Sequence, residues 1–181
     1  SWRYAIENPK RVKGLVLLSS SGIPGEQANR GSSSRSADTP LVWKLMRSPL
    51  ATDILSIYTP KFFAMQGLKA SVYDSNMATK EWANQFHELT LLEGSRTAIL
   101  SRMSSGYVRN QKPELLKDLE IPALLIHGKE DNIIPVSSSE SLVNFFQDGQ
   151  LIIYDEVGHL PMYESPKRTA KDIIEFFYKR L

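Results

Sequence analysis

Three apolar runs along the chain are bounded by turn residues and lack polar alternation, the pattern of strands buried on both faces of a parallel sheet. They are RVKGLVLLSSSG (11–22), IPALLIHGKED (121–131) and QLIIYDEVG (150–158). Between the second and third, VSSSESLVNFFQ (136–147) carries Val136, Leu142, Val143 and Phe146 near helical spacing. After the third, Ser165-Pro166 opens KRTAKDIIEFFYKRL, in which Ile173, Ile174, Phe177 and Leu181 are expected to form the apolar stripe. A Ser-Pro start and a cationic last turn are both favourable helix-end chemistry. Alternation of strand, helix, strand and helix predicts a parallel α/β sheet with right-handed crossovers. Residues 1–10 fit as the end of another helix, with Trp2, Ala5 and Ile6 on one face and Pro9 stopping it. A helix already in register at residue 1 is expected to continue something before it.

Residues from about 40 to 108 read differently. Thr39-Pro40, Ser48-Pro49 and Thr59-Pro60 each place a capping residue and a proline before a short apolar stretch. Thr79 then precedes KEWANQFHELTLLE, with Trp82, Phe86 and Leu89 on one stripe and Gly94 at its end, and SRTAILSRMSS follows as a further helix. So long a helical stretch between two strands of one sheet is more than a connection and predicts a cap. The polar segment GEQANRGSSSRSAD (25–38) leads into it as an expected mobile entry.

Composition narrows the class. In 181 residues, 41% are hydrophobic and 23% charged, as in an ordinary globular domain, and the net charge of +2 comes without a basic run interleaved with aromatics. Nucleic acid is therefore not expected as a partner. There is no cysteine, which excludes disulfides, thiol catalysis and a thiolate zinc site. With three histidines and no close pair, no metal is expected either. No apolar run reaches the roughly 18 residues of a membrane span, and SWRYAIENPKR has no signal-peptide core; the compartment stays unassigned.

The candidate chemistry lies at two strand ends. Asp131 follows the second strand in HGKEDNIIP, and His159 follows the third in YDEVGHLPMYESP. Ligands in open parallel sheets bind beyond the carboxyl ends of the strands, so neighbouring strands would bring these two residues to one side. A buried carboxylate holds an imidazole in one tautomer and leaves its other nitrogen to act as a base. The alternatives are a turn role for Asp131, beside Asn132, and a capping or loop role for His159. Glu130 and Asp155 are the fallback acids. His127 is expected to be a packing or hydrogen-bonding residue within its strand, and His87 to belong to the surface or packing of a cap helix. Gly128 and Gly158 stand where the chain must turn after a strand.

The order strand, G-x-x-D-x-x-x-P, helix, strand, G-H, amphipathic helix resembles the C-terminal half of an α/β-hydrolase. WRYAIENPKRVKGLVLLSSSG is similar to the segment that follows the nucleophile turn in that family, and TKEWANQFHELTLLEGSRTAIL to the cap helices of its esterase- and lipase-like members. The resemblance implies an α/β fold with parallel strands, flanking helices and a helical cap insertion. It divides the chain into core at 1–24, cap and return helices at 25–108, and core at 109–181. It also implies Asp131 as the triad acid, His159 as the triad base and no cofactor. The family order of nucleophile, acid, histidine places the nucleophile before Asp131, yet no G-x-S-x-G occurs, and the serine runs at 19–22 and 31–34 lie at a strand end and in a loop. The nucleophile, oxyanion hole and first strands are thus expected in a missing N-terminal half, without which this chain is expected to be inactive.

The reaction implied is hydrolysis of a small carboxylic ester by a serine nucleophile, with Trp43, Phe62, Phe63, Trp82 and Met65 either lining an acyl pocket or forming the cap's own core. Haloalkane dehalogenase, epoxide hydrolase and C–C hydrolase activities share this half-fold. A binding module on a hydrolase scaffold, or an inactive fragment, is the reading from another class. Half a sheet also leaves its first strand unpaired on one edge, which predicts self-association.

Overall fold

A computed structural model describes residues 2–21, 58–104 and 112–180 of the chain. Helix α1 (Trp2–Glu7) and a 3₁₀ turn (Pro9–Arg11) lead into strand β1 (Leu15–Leu18). Helices α2 (Lys61–Ser71), α3 (Lys80–Leu91) and α4 (Ser95–Ser104) lie in the chain between β1 and the next strand. There follow β2 (Pro122–Gly128), α5 (Ser137–Val143), β3 (Asp148–Tyr154), a single turn α6 (Pro161–Glu164) and α7 (Pro166–Arg180). Trp43 and the cap signals at Thr39 and Ser48 lie outside the described residues.

The three strands form one parallel sheet in the order β1-β2-β3, with Leu15 beside Ala123 and Leu125 beside Leu151. Only the middle strand is buried on both faces, with Ala123 through Ile126 fully enclosed. β3 is an edge strand among the described residues, exposed at Gly149, Gln150 and Ile153, so its apolar run is less enclosed than the sequence suggests. Side chains alternate across the sheet as strand geometry requires. Ala123 and Leu125 pack with Trp2, Ala5, Leu116, Leu142 and Phe146 under α1 and α5. Leu124 and Ile126 face the other way, toward Tyr154, Val157 and Phe176.

Helix α7 is rotated from the stripe expected of it. Ile174 and Phe177 are half exposed, while Thr169 and Phe176 are buried and Ile173 packs on the sheet; Leu181 lies outside the described residues. The cause is polar anchoring: Thr169 Oγ1 donates to the Pro161 carbonyl at 2.9 Å, and the buried Tyr154 hydroxyl donates to Asp172 at 2.6 Å. Positions 169, 172, 173 and 176 form one helical face, which mixes polar and apolar residues. Burial first and the bond to Asp172 second push the Tyr154 phenol up to about 12.

Two glycines set how closely the site's loops approach. Neither Gly128 nor Gly158 has a positive φ, so the reason is space and not turn conformation. A Cβ on Gly128 would collide with the carbonyl groups of Val157 and Gly158, in the loop that carries His159. Those contacts are backbone atoms of a loop bonded to Glu130 and Glu164, not the far end of a flexible side chain. Gly128→Ala is expected to destabilise the protein by about 3 kcal/mol, read as a lower urea midpoint at unchanged m-value.

Candidate active site

The loops after β2 and β3 are joined to each other. Lys129 N–H donates to the Tyr154 carbonyl at 2.9 Å, Glu130 N–H donates to the Val157 carbonyl at 3.1 Å, and Val157 N–H returns a bond to the Glu130 carboxylate at 3.2 Å. Lys129 and Asp155 form an exposed pair at 2.6 Å. Both fallback acids are thus engaged in holding the loops together. Glu156, at φ 58°, turns the chain back after β3.

That join brings Asp131 and His159 together. His159 Nδ1 lies 2.8 Å from Asp131 Oδ2. The Asp131 side chain is fully buried, and the His159 side chain is 25% exposed, so one partner is enclosed and the other reaches solvent. Asp131 Oδ1 accepts from the amides of Ile133 and Ile134, both at 2.8 Å. The turn role and the histidine role weighed for this residue coexist, one on each oxygen.

His127 is the partner that sequence reasoning missed. Its Nε2 lies 3.1 Å from Asp131 Oδ2 and 2.8 Å from the Ile134 carbonyl, and its Nδ1 lies 2.6 Å from Ser139 Oγ on α5. Because both neighbours of Nε2 are acceptors, that nitrogen carries hydrogen. The expectation of a hydrogen-bonding strand residue holds, but its spacing from Asp131 gave no sign that the two share one carboxylate.

Four donors therefore surround the four lone-pair sites of Asp131. Burial pushes its pKa up, but the bonds from His127, His159 and the Ile134 amide outweigh this and hold the carboxyl well below the usual carboxylate range. An ionised Asp131 can only accept, so His159 Nδ1 donates to it and Nε2 is the ring nitrogen available to take a proton. Among the described residues, no group of three or more His, Asp or Glu side chains is placed to hold a metal ion.

Of the expected pocket residues, Phe63 is buried at the start of α2 with its ring 4.3 Å from that of the half-exposed Phe62. Trp82 packs with Met65 and Leu160 against Leu68, Ala78 and Ala83, and its ring lies 4.9 Å from Tyr163. Trp82 thus stands beside the loop of His159. His87 is buried, with Nε2 2.8 Å from the Thr59 carbonyl, as expected of a packing residue.

Residues 1–166 match the family model for the alpha/beta hydrolase fold. The chain belongs to that family. It is 25% identical over 178 residues to 2-hydroxymuconate semialdehyde hydrolase of Pseudomonas sp. strain CF600, an alignment covering 95% of this chain and 56% of that protein. It is 31% identical over 93 residues to human monoacylglycerol lipase ABHD6, covering 51% and 25%. Among solved structures, the meta-cleavage product hydrolase CumD from Pseudomonas fluorescens IP01 superposes with a TM-score of 0.72 at 23% identity, over 98% of this chain and 60% of that one. A thermophilic esterase from Thermogutta terrifontis gives 0.69 at 22%, over 97% and 59%. The chain thus spans little more than half the length of the semialdehyde hydrolase and of both solved structures. No helix among the described residues is long and apolar enough to cross a membrane.

The depressed Asp131 pKa has a stability consequence. Its contribution is complete above the ordinary aspartate value near 3.9 and is lost as pH falls below that value toward the folded-state pKa. Melting between pH 5 and 2 should show the wild type losing its advantage over Asp131→Asn as pH drops. A gap independent of pH across that range would contradict the assignment.

Proposed function

We propose that this chain supplies the acid and base of a serine-type α/β-hydrolase that cleaves carboxylic esters. The observation that supports this reading is the 2.8 Å bond from His159 Nδ1 to a buried carboxylate whose other sites are already filled. In the reaction, His159 Nε2 takes the proton of a serine hydroxyl as its oxygen attacks the ester carbonyl. Asp131 keeps the ring oriented and stabilises the imidazolium, which passes the proton to the departing alkoxide. A water then replaces the alcohol and the same nitrogen activates it, releasing the acid and the free serine.

The nucleophile and the oxyanion donors come, in this reading, from sequence outside these 181 residues. Among the described residues β1 pairs only with β2, so its other edge is where the remaining strands would join. Helices α2 to α4 act as the cap over the site, with Trp82 on the wall next to His159.

A second reading is hydrolysis of a C–C bond in a ring-cleavage product. It is favoured because a relative aligned across 95% of this chain is named for 2-hydroxymuconate semialdehyde, whereas the human lipase match covers 51%. Both reactions use the same base. Full-length protein carrying this segment should be assayed on para-nitrophenyl butyrate and on 2-hydroxymuconate semialdehyde. A higher kcat/KM on the ester supports the first reading and the reverse supports the second. In either case His159→Ala should lower kcat by roughly 10³-fold or more. Retained activity in that variant would remove the histidine from the mechanism. Produced alone, residues 1–181 should elute in size-exclusion chromatography above the mass of one chain, through the edge of β1 that is unpaired among the described residues. A stable monomer with a cooperative melt would contradict this.

A further inference from the structure

The loop that carries His159 is held from two sides, and the second hold is not made by the sheet. Glu164, at the end of α6, accepts three backbone amides from two distant parts of the chain. Its Oε2 accepts from Tyr73 N–H at 2.7 Å, just beyond the end of α2. Its Oε1 accepts from Leu160 N–H at 3.1 Å, and the Gly158 amide lies 3.0 Å from both of its oxygens. The amide between these two, that of His159 itself, donates to the Ser71 carbonyl at 2.7 Å. All three consecutive amides around the histidine are therefore fixed by Glu164 or by the end of α2.

The contact is close along its whole length. A Cβ on Gly158 would sit 2.8 Å from the Ser71 carbonyl oxygen and 2.9 Å from Tyr73 N, so the two backbones touch with no room for a side chain. Leu160 packs into the cluster of Leu68, Ala78 and Ala83, which belongs to α2, α3 and the turn between them. Tyr163 meets Trp82 of α3 ring to ring.

We infer that Glu164 is a positioning residue that ties the alignment of the His159 base to the seating of the inserted helices. The inference rests on the reading of His159 as the base. A carboxylate is the group suited to this place, because every neighbour is an N–H donor and a charged acceptor binds such donors about twice as strongly as a neutral one. It offers both oxygens at once, Oε2 to Tyr73 and Oε1 to Leu160, with the Gly158 amide shared between them. An amide in its place has a single acceptor oxygen, and its NH₂ must face either Tyr73 N–H or the loop amides. One orientation gives up the bond from Tyr73 and the other the bond from Leu160, so either way the tie between the two segments is weakened. Movement of residues 71–73 away from the core would then carry the His159 main chain with it and open the bond to Asp131. Closure of the helices over the site and alignment of the base are in this arrangement one event.

The test uses the natural full-length protein and its Glu164→Gln variant. In the wild type, hydrogen exchange should show the amides of Gly158, His159, Leu160 and Tyr73 opening together, with protection factors that agree with one another and lie below those of β2. In Glu164→Gln, proton NMR in water should show the downfield Nδ1–H signal of His159 broadened or shifted upfield. The kcat for ester cleavage should fall about tenfold to a hundredfold while KM changes little. His159→Ala assigns the signal and tests the base: if that variant keeps full activity, the reading of His159 as the base fails, whatever Glu164 does. If His159→Ala is inactive but Glu164→Gln keeps both kcat and the Nδ1–H signal, the positioning role is overturned. A fall in kcat with the signal unchanged overturns it as well. If the variant does not fold, exchange in the wild type decides: loop amides that open with β3 and independently of Tyr73 overturn the coupling.

Discussion

The site is organised around one buried negative charge. Asp131 has no exposed side-chain surface, and an isolated carboxylate in such a place would cost several kcal/mol. It stays ionised because its own loop supplies two amides to Oδ1 and two histidine rings meet at Oδ2. Much of the local architecture follows from meeting that requirement. The turn after β2 must curl so that Ile133 and Ile134 point their amides inward. The last side chain of β2 before Gly128 must be a donor, and α5 must stand close enough for Ser139 to hold the far side of the His127 ring.

The second ring comes from another strand, which makes strand spacing a condition of the site. Neighbouring strands lie about 4.8 Å apart, and at two points the segments around the His159 loop approach more closely than a Cβ would allow. Gly128 meets this condition on the sheet side of the His159 loop, and Gly158 meets it where the loop touches residues 71–73. The histidine is thereby held between two layers. Its Nδ1 is set by Asp131 in the loop after β2, while its main chain is bonded to the end of α2, and the amides on either side of it to Glu164. A change in either layer reaches the same ring.

What could be read from the sequence follows from what each signal encodes. Parallel strands within 11–22, 121–131 and 150–158 were legible because continuous apolar runs with flanking turn residues leave few alternatives, though β3 begins earlier, at Asp148; the Thr79 cap was legible because its side chain bonds the Trp82 amide within three residues. Asp131 and His159 could be paired from their places at adjacent strand ends. The rotation of α7 was not legible, because Ile174 and Phe177 are the better hydrophobes, yet hydrogen bonds at Thr169 and Asp172 decide which face turns inward. The parts played by His127 and Glu164 were hidden for a related reason. Their partners are backbone groups, one serine hydroxyl and a carboxylate, distant in sequence or not distinguished by spacing, and hydrogen bonds to the main chain leave no residue-type signature on the partner.

The way Asp131 is saturated bears on how it would serve a base. A carboxylate with one partner would act on a protonated His159 mainly through charge. Here the charge is shared among four donors, and hydrogen bonds from His127, His159 and the Ile134 amide depress its pKa more than charge attraction to His159 does. The bond it accepts from the ring is directional: Nδ1 keeps its hydrogen and points at a fixed acceptor, which constrains the orientation of the imidazole and so of Nε2. His127 contributes by competing for the same oxygen. Its hydrogen bond, shared with the Ile134 carbonyl, fixes where Oδ2 stands while leaving the shorter contact, 2.8 Å against 3.1 Å, to His159. An acid buried and fully bonded in this way cannot move to follow the ring, so the ring must come to it, and whatever positions the His159 loop sets how well the base is aimed.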